Sequence, residues 1–90
     1  MLHEERSKVS EKTQDLKRAI DSFREEWEAI DWYNQRADAT QNVELKKILL
    51  HNAKEEKEHA AMLLNWICTQ DAEAKEMIEK YVLNKEALDH

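Results

Sequence analysis

Apolar residues recur at helical spacing through the first part of the chain. From Val9 to about Asp38 they fall three or four positions apart, which places them on one face of a helix. The members of this first stripe are Leu16, Ala19, Phe23, Ile30, Tyr33 and Ala37. We therefore predict a long helix over this range. Residues 1–8, which are charged and aperiodic, should form a mobile N-terminus.

A second apolar stripe follows a short polar interruption at residues 39–42. It runs from about Val43 to about Thr69. Its members are Leu45, Leu49, Asn52, Glu56, His59, Ala60, Leu63 and Ile67. Either Thr40 or Asn42 can cap this second helix through a side-chain oxygen. Because the connection is so short, the two long helices must lie side by side as an antiparallel hairpin.

The remaining residues predict a third and shorter helix. Asp71 is a residue type that caps helices, and the helix would run from about Ala72 to Asn84. The 90 residues contain neither Gly nor Pro, which argues against strands and tight turns. The predicted fold class is therefore all-α, with a single domain over residues 1–90. A chain this short buries only a small core, so such domains usually need a metal, a disulfide or a partner.

Net charge limits the possible partners, and cysteine content indicates the cellular compartment. The formal net charge is −6, which disfavours nucleic acid and anionic lipid. No run of about 20 apolar residues is present to span a membrane, and the first ten residues lack the apolar stretch of a secretory signal. Cys68 is the only cysteine, so no intramolecular disulfide can form, which fits a reducing compartment. We therefore predict a cytoplasmic protein with neither nucleic acid nor membrane as a partner.

Polar residues that bind metals interrupt both stripes near their middles. Glu56 and His59 form a Glu-x-x-His motif, the half-signature of a di-iron carboxylate site in helical bundles. A helix this rich in Glu also produces the motif as a surface pair, and that interpretation remains open. Glu26 interrupts the first stripe, where a buried carboxylate costs several kcal/mol unless something compensates it.

The hairpin would bring these three residues to a similar depth. Glu26 lies about 14 residues before the middle of the turn and the motif about 16 to 19 after it, levels that agree to within roughly two turns. Three ligands are half of a ferritin-like site, which needs one Glu from each of two helices and Glu-x-x-His from each of two more. We therefore predict a two-fold dimer that completes a four-helix bundle.

The ligand types indicate the metal. Carboxylates and imidazole suit iron or manganese, and without a thiolate a structural zinc site is disfavoured. Tyr33, on the same stripe as Glu26, can hydrogen-bond a ligand. A second acidic group, formed by Glu25 and Glu28 beside Trp32, lies off the stripe. On spacing alone it is better explained as a solvated acidic face.

Other residues suggest contacts between subunits. The three tryptophans, Trp27, Trp32 and Trp66, flank the stripes and widen the apolar arcs, which predicts subunit contacts beyond one dimer. His51 fits a surface or interface position on spacing alone.

Two segments, EEWEAIDWYNQRADAT and HNAKEEKEHAAMLLNWI, closely resemble the encapsulated ferritins, which are small two-helix relatives of ferritin. The resemblance covers about Ser22 to Val82, and Trp27 departs from it by being bulkier than the family's aliphatic residue. It implies that two chains pair into a ferritin-like four-helix bundle and that dimers form a ring-shaped decamer.

The resemblance also implies roles for individual residues. The residues that match the ligands of a di-iron ferroxidase centre are Glu26, Glu56 and His59, and Tyr33 matches the tyrosine beside it. The acidic metal-uptake site of the ring is matched by Glu25, Glu28 and Trp32, and His51 matches a histidine associated with metal near the subunit boundary. Iron is the implied metal, and Ca, Zn or Mn can occupy such sites.

The implied function is oxidation of Fe(II) to Fe(III) by O2, for iron storage and detoxification. In that family the oxidised iron passes into the lumen of an encapsulin shell, to which a C-terminal tail attaches the ring. The sequence ends NKEALDH and does not match that tail, so the shell remains an open partner. The alternative function is a non-catalytic helical oligomerisation module with a structural metal site.

Overall fold

The structure, a computed structural model, describes residues 1–84. Two long helices, α1 (Glu11–Ala39) and α2 (Val43–Gln70), form a hairpin. A short helix, α3 (Ala72–Ile78), and a π-helical turn (Glu79–Leu83) follow, and a 3-10 turn (Arg6–Lys8) precedes α1. Residues 1–84 contain no strand. The predicted all-α hairpin with a short C-terminal helix is therefore confirmed, whereas residues 85–90 of the predicted domain lie outside the described residues.

Side-chain caps decide where the long helices begin. The Oγ of Ser10 accepts a hydrogen bond from the Thr13 N–H at 3.2 Å, so α1 starts at residue 11 and not at the predicted Val9. For α2, the Oδ1 of Asn42 accepts from the Leu45 N–H at 2.9 Å. Of the two predicted caps, Asn42 is therefore the one that acts, because its oxygen satisfies one of the N–H groups that have no partner within the helix.

The third helix begins as predicted but changes type. The Oδ1 of Asp71 accepts from the Ala74 N–H at 3.0 Å and caps α3. The α-helical hydrogen bonding ends at Ile78, and residues 79–83 continue as a π-helical turn. The predicted single helix to Asn84 is thus two short pieces.

One buried polar residue ties the N-terminal turn to α1. Gln14 accepts a hydrogen bond from Arg6 Nη1 at 3.0 Å and donates one from Nε2 to the carbonyl of Val9 at 2.9 Å. Such pairing offsets the cost of burying its amide. The mobility of residues 1–8 stays a prediction, although residues 6–9 have these contacts.

The core of the single chain is small and built mainly from alanine. The buried apolar residues are Ala19, Ile30, Ala37, Ala53 and Ala60. Small side chains on both helices let the backbones approach closely, which is what positions side chains of α1 against those of α2. Ala53 was absent from the predicted second stripe. Leu45 was predicted to face inward but is exposed.

Many large apolar side chains stay exposed on the single chain. They are Ile20, Trp27, Trp32, Val43, Leu45, Ile48, Leu50, Met62, Trp66, Met77, Tyr81, Val82 and Leu83, besides Met1. This extent of exposed apolar surface is typical of a protein that associates with another chain. Within residues 1–84, no helix is both long and apolar enough to cross a membrane.

Candidate metal centre

The two long helices bring three metal-binding side chains together. Glu26 comes from α1, and Glu56 and His59 come from one face of α2. The Nδ1 atom of His59 lies 3.7 Å from Oε2 of Glu26 and 3.6 Å from Oε2 of Glu56. One ligand atom from each residue lies within 4.8 Å of the others. A single cation placed among them can therefore contact an imidazole nitrogen and two carboxylates.

The carboxylate of Glu26 has an atom that needs a partner. Its Oε2 is buried and accepts no hydrogen bond within the described residues. The side chains of Glu26 and Glu56 are 23% and 24% exposed, while that of His59 is 49% exposed. A buried oxygen without a donor costs free energy, and a bound cation would remove that cost. The donor set therefore fits a metal ion that prefers oxygen and nitrogen ligands.

An apolar pocket of about 490 Å³ adjoins the three side chains. Glu26 and His59 form one part of its wall, and the other lining residues are Ser22, Met62, Leu63 and Trp66. Met62 and Trp66 are exposed in the single chain. The candidate centre therefore opens onto a surface that water now contacts and that another chain can cover.

Tyr33 lies on the same helix as Glu26 but further along it. Seven residues separate them, which is about two helical turns. Its ring is partly buried, and the guanidinium carbon of Arg36 lies 5.8 Å from the ring centroid. Within residues 1–84 no hydrogen bond links Tyr33 to the three metal-binding side chains. Within one chain the structure therefore brings together Glu26, Glu56 and His59, and Tyr33 forms no hydrogen bond with them.

The predicted uptake residues form a separate, exposed group. Glu25, Glu28 and Trp32 lie on the outer part of α1 and do not join the candidate centre in one chain. Trp32 lies under Arg36, whose guanidinium carbon is also 5.8 Å from this ring centroid. Arg36 was not singled out from the sequence, although its spacing of three and four residues from two aromatic residues is a detectable signal.

His51 makes a contact along its own helix. Its Nε2 lies 2.8 Å from Oε1 of Glu55, one turn further along α2, and both side chains are largely exposed. This matches the predicted surface or interface position. The two residues do not contribute to the candidate centre of the same chain.

Comparison with known proteins places the chain in a family. Residues 1–85 match the model of the EncFtn-like family. An encapsulated ferritin-like protein of Rhodospirillum rubrum is 47% identical over 83 residues, which cover 92% of this chain and 59% of the relative. An encapsulin nanocompartment cargo protein of Myxococcus xanthus, EncC, is 42% identical over 69 residues, 72% of this chain and 53% of the relative.

A solved structure agrees over nearly the whole chain. The crystal structure of protein ne0167 from Nitrosomonas europaea is 46% identical, with a TM-score of 0.90, and the match covers 99% of this chain and 98% of that one. By contrast, the chain spans little more than half the length of the two curated relatives. The match over residues 1–85, together with these identities, shows that this chain belongs to the EncFtn-like family.

Proposed function

We propose that this chain is half of a ferroxidase, which oxidises Fe(II) to Fe(III) with O2. One observation carries the proposal: α1 supplies a Glu and α2 a Glu-x-x-His motif, and their ligand atoms lie within 4.8 Å of one another. A di-iron site in a four-helix bundle uses two such sets. Membership of a ferritin-like family supports iron as the substrate.

The second set of ligands comes from a second copy of the chain. A two-fold dimer doubles Glu26, Glu56 and His59 to four carboxylates and two imidazoles, which is the ligand set for two ions. Because a two-fold interface is self-complementary, each copy covers the same surface of the other. The pocket beside the candidate centre and the exposed Met62 and Trp66 support this, since a partner helix would bury them. Assembly of dimers into a ring-shaped decamer belongs to the same proposal.

The chemistry follows from the charge of the ligands. Each Fe(II) that is oxidised loses one electron and gains one unit of positive charge. The carboxylates of Glu26 and Glu56 stabilise that added charge, and the imidazole of His59 supplies a nitrogen ligand to the ion. The electrons go to O2, which reaches the site as a small apolar molecule. Iron is thus the substrate of the centre.

The other site residues have supporting roles in this proposal. Tyr33 orients a ligand beside the centre, and the acidic pair Glu25 and Glu28 with Trp32 takes up cations from solvent. His51 binds metal near a subunit boundary. Ca, Zn or Mn can occupy these sites in place of iron.

The place of action is part of the proposal. The name of the Myxococcus xanthus relative supports an encapsulin shell as the partner, with iron oxidised inside its lumen in the cytoplasm. The chain spans only part of that relative, so this partner is proposed for the whole protein.

The decisive experiment measures iron oxidation directly. Two Fe(II) per dimer are added under anaerobic conditions, air is admitted, and the formation of Fe(III) is followed by absorbance. Glu56→Ala should lower the rate by more than about tenfold, because even changes outside the ligand set commonly cost 10- to 100-fold. The matched control is Glu58→Ala, which removes an exposed carboxylate from the same helix. A wild-type rate in Glu56→Ala would refute the assignment of the centre.

A non-catalytic assembly module is the second candidate. The exposed apolar residues of both long helices favour it, because they support association whether or not a metal is bound. Native mass spectrometry separates the two functions. A module of this kind assembles equally well from metal-free protein and oxidises no Fe(II), whereas the ferroxidase dimer binds two ions and becomes more stable on binding them.

A further inference from the structure

Arg36 lies against two aromatic rings at once. Its guanidinium carbon is 5.8 Å from the ring centroid of Trp32 and 5.8 Å from that of Tyr33. The two aromatic residues precede it by four and three positions in the last two turns of α1, so a single side chain reaches both. A cation within about 6 Å of an aromatic ring is attracted by the electrons of its face.

The contacts of Arg36 differ from those of the other arginines. Arg18 and Arg24 pair with Asp15 and Asp21, and Arg6 donates a hydrogen bond to Gln14. Within residues 1–84 the side chain of Arg36 makes no ion pair, and the groups that it contacts are the two rings. Its planar guanidinium can stack on both, whereas the ammonium of a lysine is a compact charge that reaches one ring at a time.

The two aromatic residues belong to two different parts of the proposed site. Tyr33 follows Glu26 by two turns on the apolar stripe of α1, and its ring is partly buried. Trp32 follows Glu28 by one turn and is 47% exposed. Arg36 therefore links the residue proposed to act beside the centre with the residue proposed to act at the acidic uptake face.

We propose that Arg36 is a positioning residue for iron oxidation, which holds the rings of Tyr33 and Trp32 in one relative orientation. This proposal rests on the proposed function, since the orientation of the rings affects iron only if the two acidic groups bind it. Arg36 itself does not bind iron, because its charge is always positive. A simpler role for Arg36 is to stabilise the C-terminal end of α1, where any cation is favourable.

The first measurement is made without iron and reports on the ring of Trp32. In a protein with Trp27→Phe and Trp66→Phe, Trp32 is the only tryptophan, and the amplitudes of its fluorescence lifetimes report how its rotamers are populated. Arg36→Gln should change the ratio of these amplitudes by about two- to fivefold, the change expected from losing one exposed cation–π contact. Arg24→Gln is the matched control, because it removes the same charge from the same helix away from both rings.

The second measurement is the rate of Fe(II) oxidation in single variants that retain all three tryptophans. Arg36→Gln should lower the rate of Fe(II) oxidation by about two- to fivefold, whereas Arg24→Gln should leave it at the wild-type rate. Arg36→Lys keeps the charge at the helix end but should recover only part of the lifetime ratio and of the rate. Circular dichroism and native mass should be those of the wild type in each variant.

The outcomes separate this proposal from the proposed function. Unchanged lifetimes in Arg36→Gln, or complete rescue by Arg36→Lys, would overturn the positioning role. Altered lifetimes with a wild-type rate of iron oxidation would overturn its relevance to the reaction. If the wild type itself oxidises no Fe(II), the proposed function fails, and the lifetimes still decide whether Arg36 holds the Trp32 ring.

Discussion

Replacing Glu26 by Gln tests whether the candidate centre is strained without a metal. Glu26 has one buried carboxylate oxygen with no hydrogen-bond partner in the described residues, and the Glu56 carboxylate belongs to the same cluster. Gln keeps the size of the side chain, removes its negative charge and gains an N–H donor. The metal-free variant should therefore be more stable than the wild type, although a site residue has been changed.

The expected increase in stability of metal-free Glu26→Gln has two sources. A buried polar atom that lacks a partner costs about 1–3 kcal/mol. Two like charges about 4 Å apart repel by about 4 kcal/mol at an effective dielectric constant of 20. The side chains of Glu26 and Glu56 are about a quarter exposed, and solvent screens much of this repulsion. We expect the free energy of unfolding to rise by about 1–2 kcal/mol. For a domain of this size, each kcal/mol raises Tm by about 4–8 °C.

The assay is calorimetry at one fixed protein concentration, with and without Mn(II), which binds the same ligand types as iron and is stable in air. Wild-type protein should gain about 2.7 kcal/mol when Mn(II) is present at about 100 times its Kd. Glu26→Gln should gain much less, because it has lost a charged ligand. Glu58→Gln, which removes the charge of an exposed carboxylate outside the cluster, serves as the control. A metal-free Glu26→Gln that melts below the wild type, or an equal response to Mn(II), would refute the reasoning.

Three further predictions concern the fold itself. Asn42→Ala should lower the free energy of unfolding by about 1 kcal/mol, because the Leu45 N–H loses its cap, and urea denaturation measures this. Ala60→Leu should cost about 1–3 kcal/mol by overpacking a position that is 2% exposed; a Tm equal to that of the wild type would contradict the close helix contact. A hydrogen bond from Lys17 lowers the pKa of the Asp21 carboxyl, so this pair stabilises the fold above the ordinary pKa of 3.8 and ceases to do so as the pH falls through the lowered value. Thermal melts at a series of pH values measure this loss of stability at low pH. Asp21→Asn should remove the part of the loss that comes from the pair, and an unchanged dependence of Tm on pH would exclude the pair as its source.

The sequence by itself determined the two long helices and the candidate caps of α2 and α3. A period of three to four residues identified both long helices, and the absence of Gly and Pro excluded most alternatives. Asp71 was identified as a cap, and Asn42 as one of two candidates, because side chains of this type bind backbone N–H groups a few residues away in the chain. Such contacts are local, so the sequence around each one contains the information needed to predict it.

The candidate ligands were also predictable, in part. Glu56 and His59 lie three residues apart on one helix, so their proximity follows from the helical repeat. Their distance from Glu26 does not follow from it, because Glu26 is on another helix and the rotation of each helix about its axis was unknown. The sequence predicted only that the three lie at similar depths.

The tertiary structure decided how the two helices face each other. Alanines such as Ala53 and Ala60, and not the large residue Leu45, occupy buried positions on α2, because a close approach of two helices requires small side chains where they touch. That contact sets the 3.7 Å between His59 Nδ1 and Glu26 Oε2, and it leaves this oxygen buried with no hydrogen-bond partner among residues 1–84. Helical periodicity orders residues along one face of one helix, whereas the register between two helices depends on the shapes of both, and only the folded hairpin combines them.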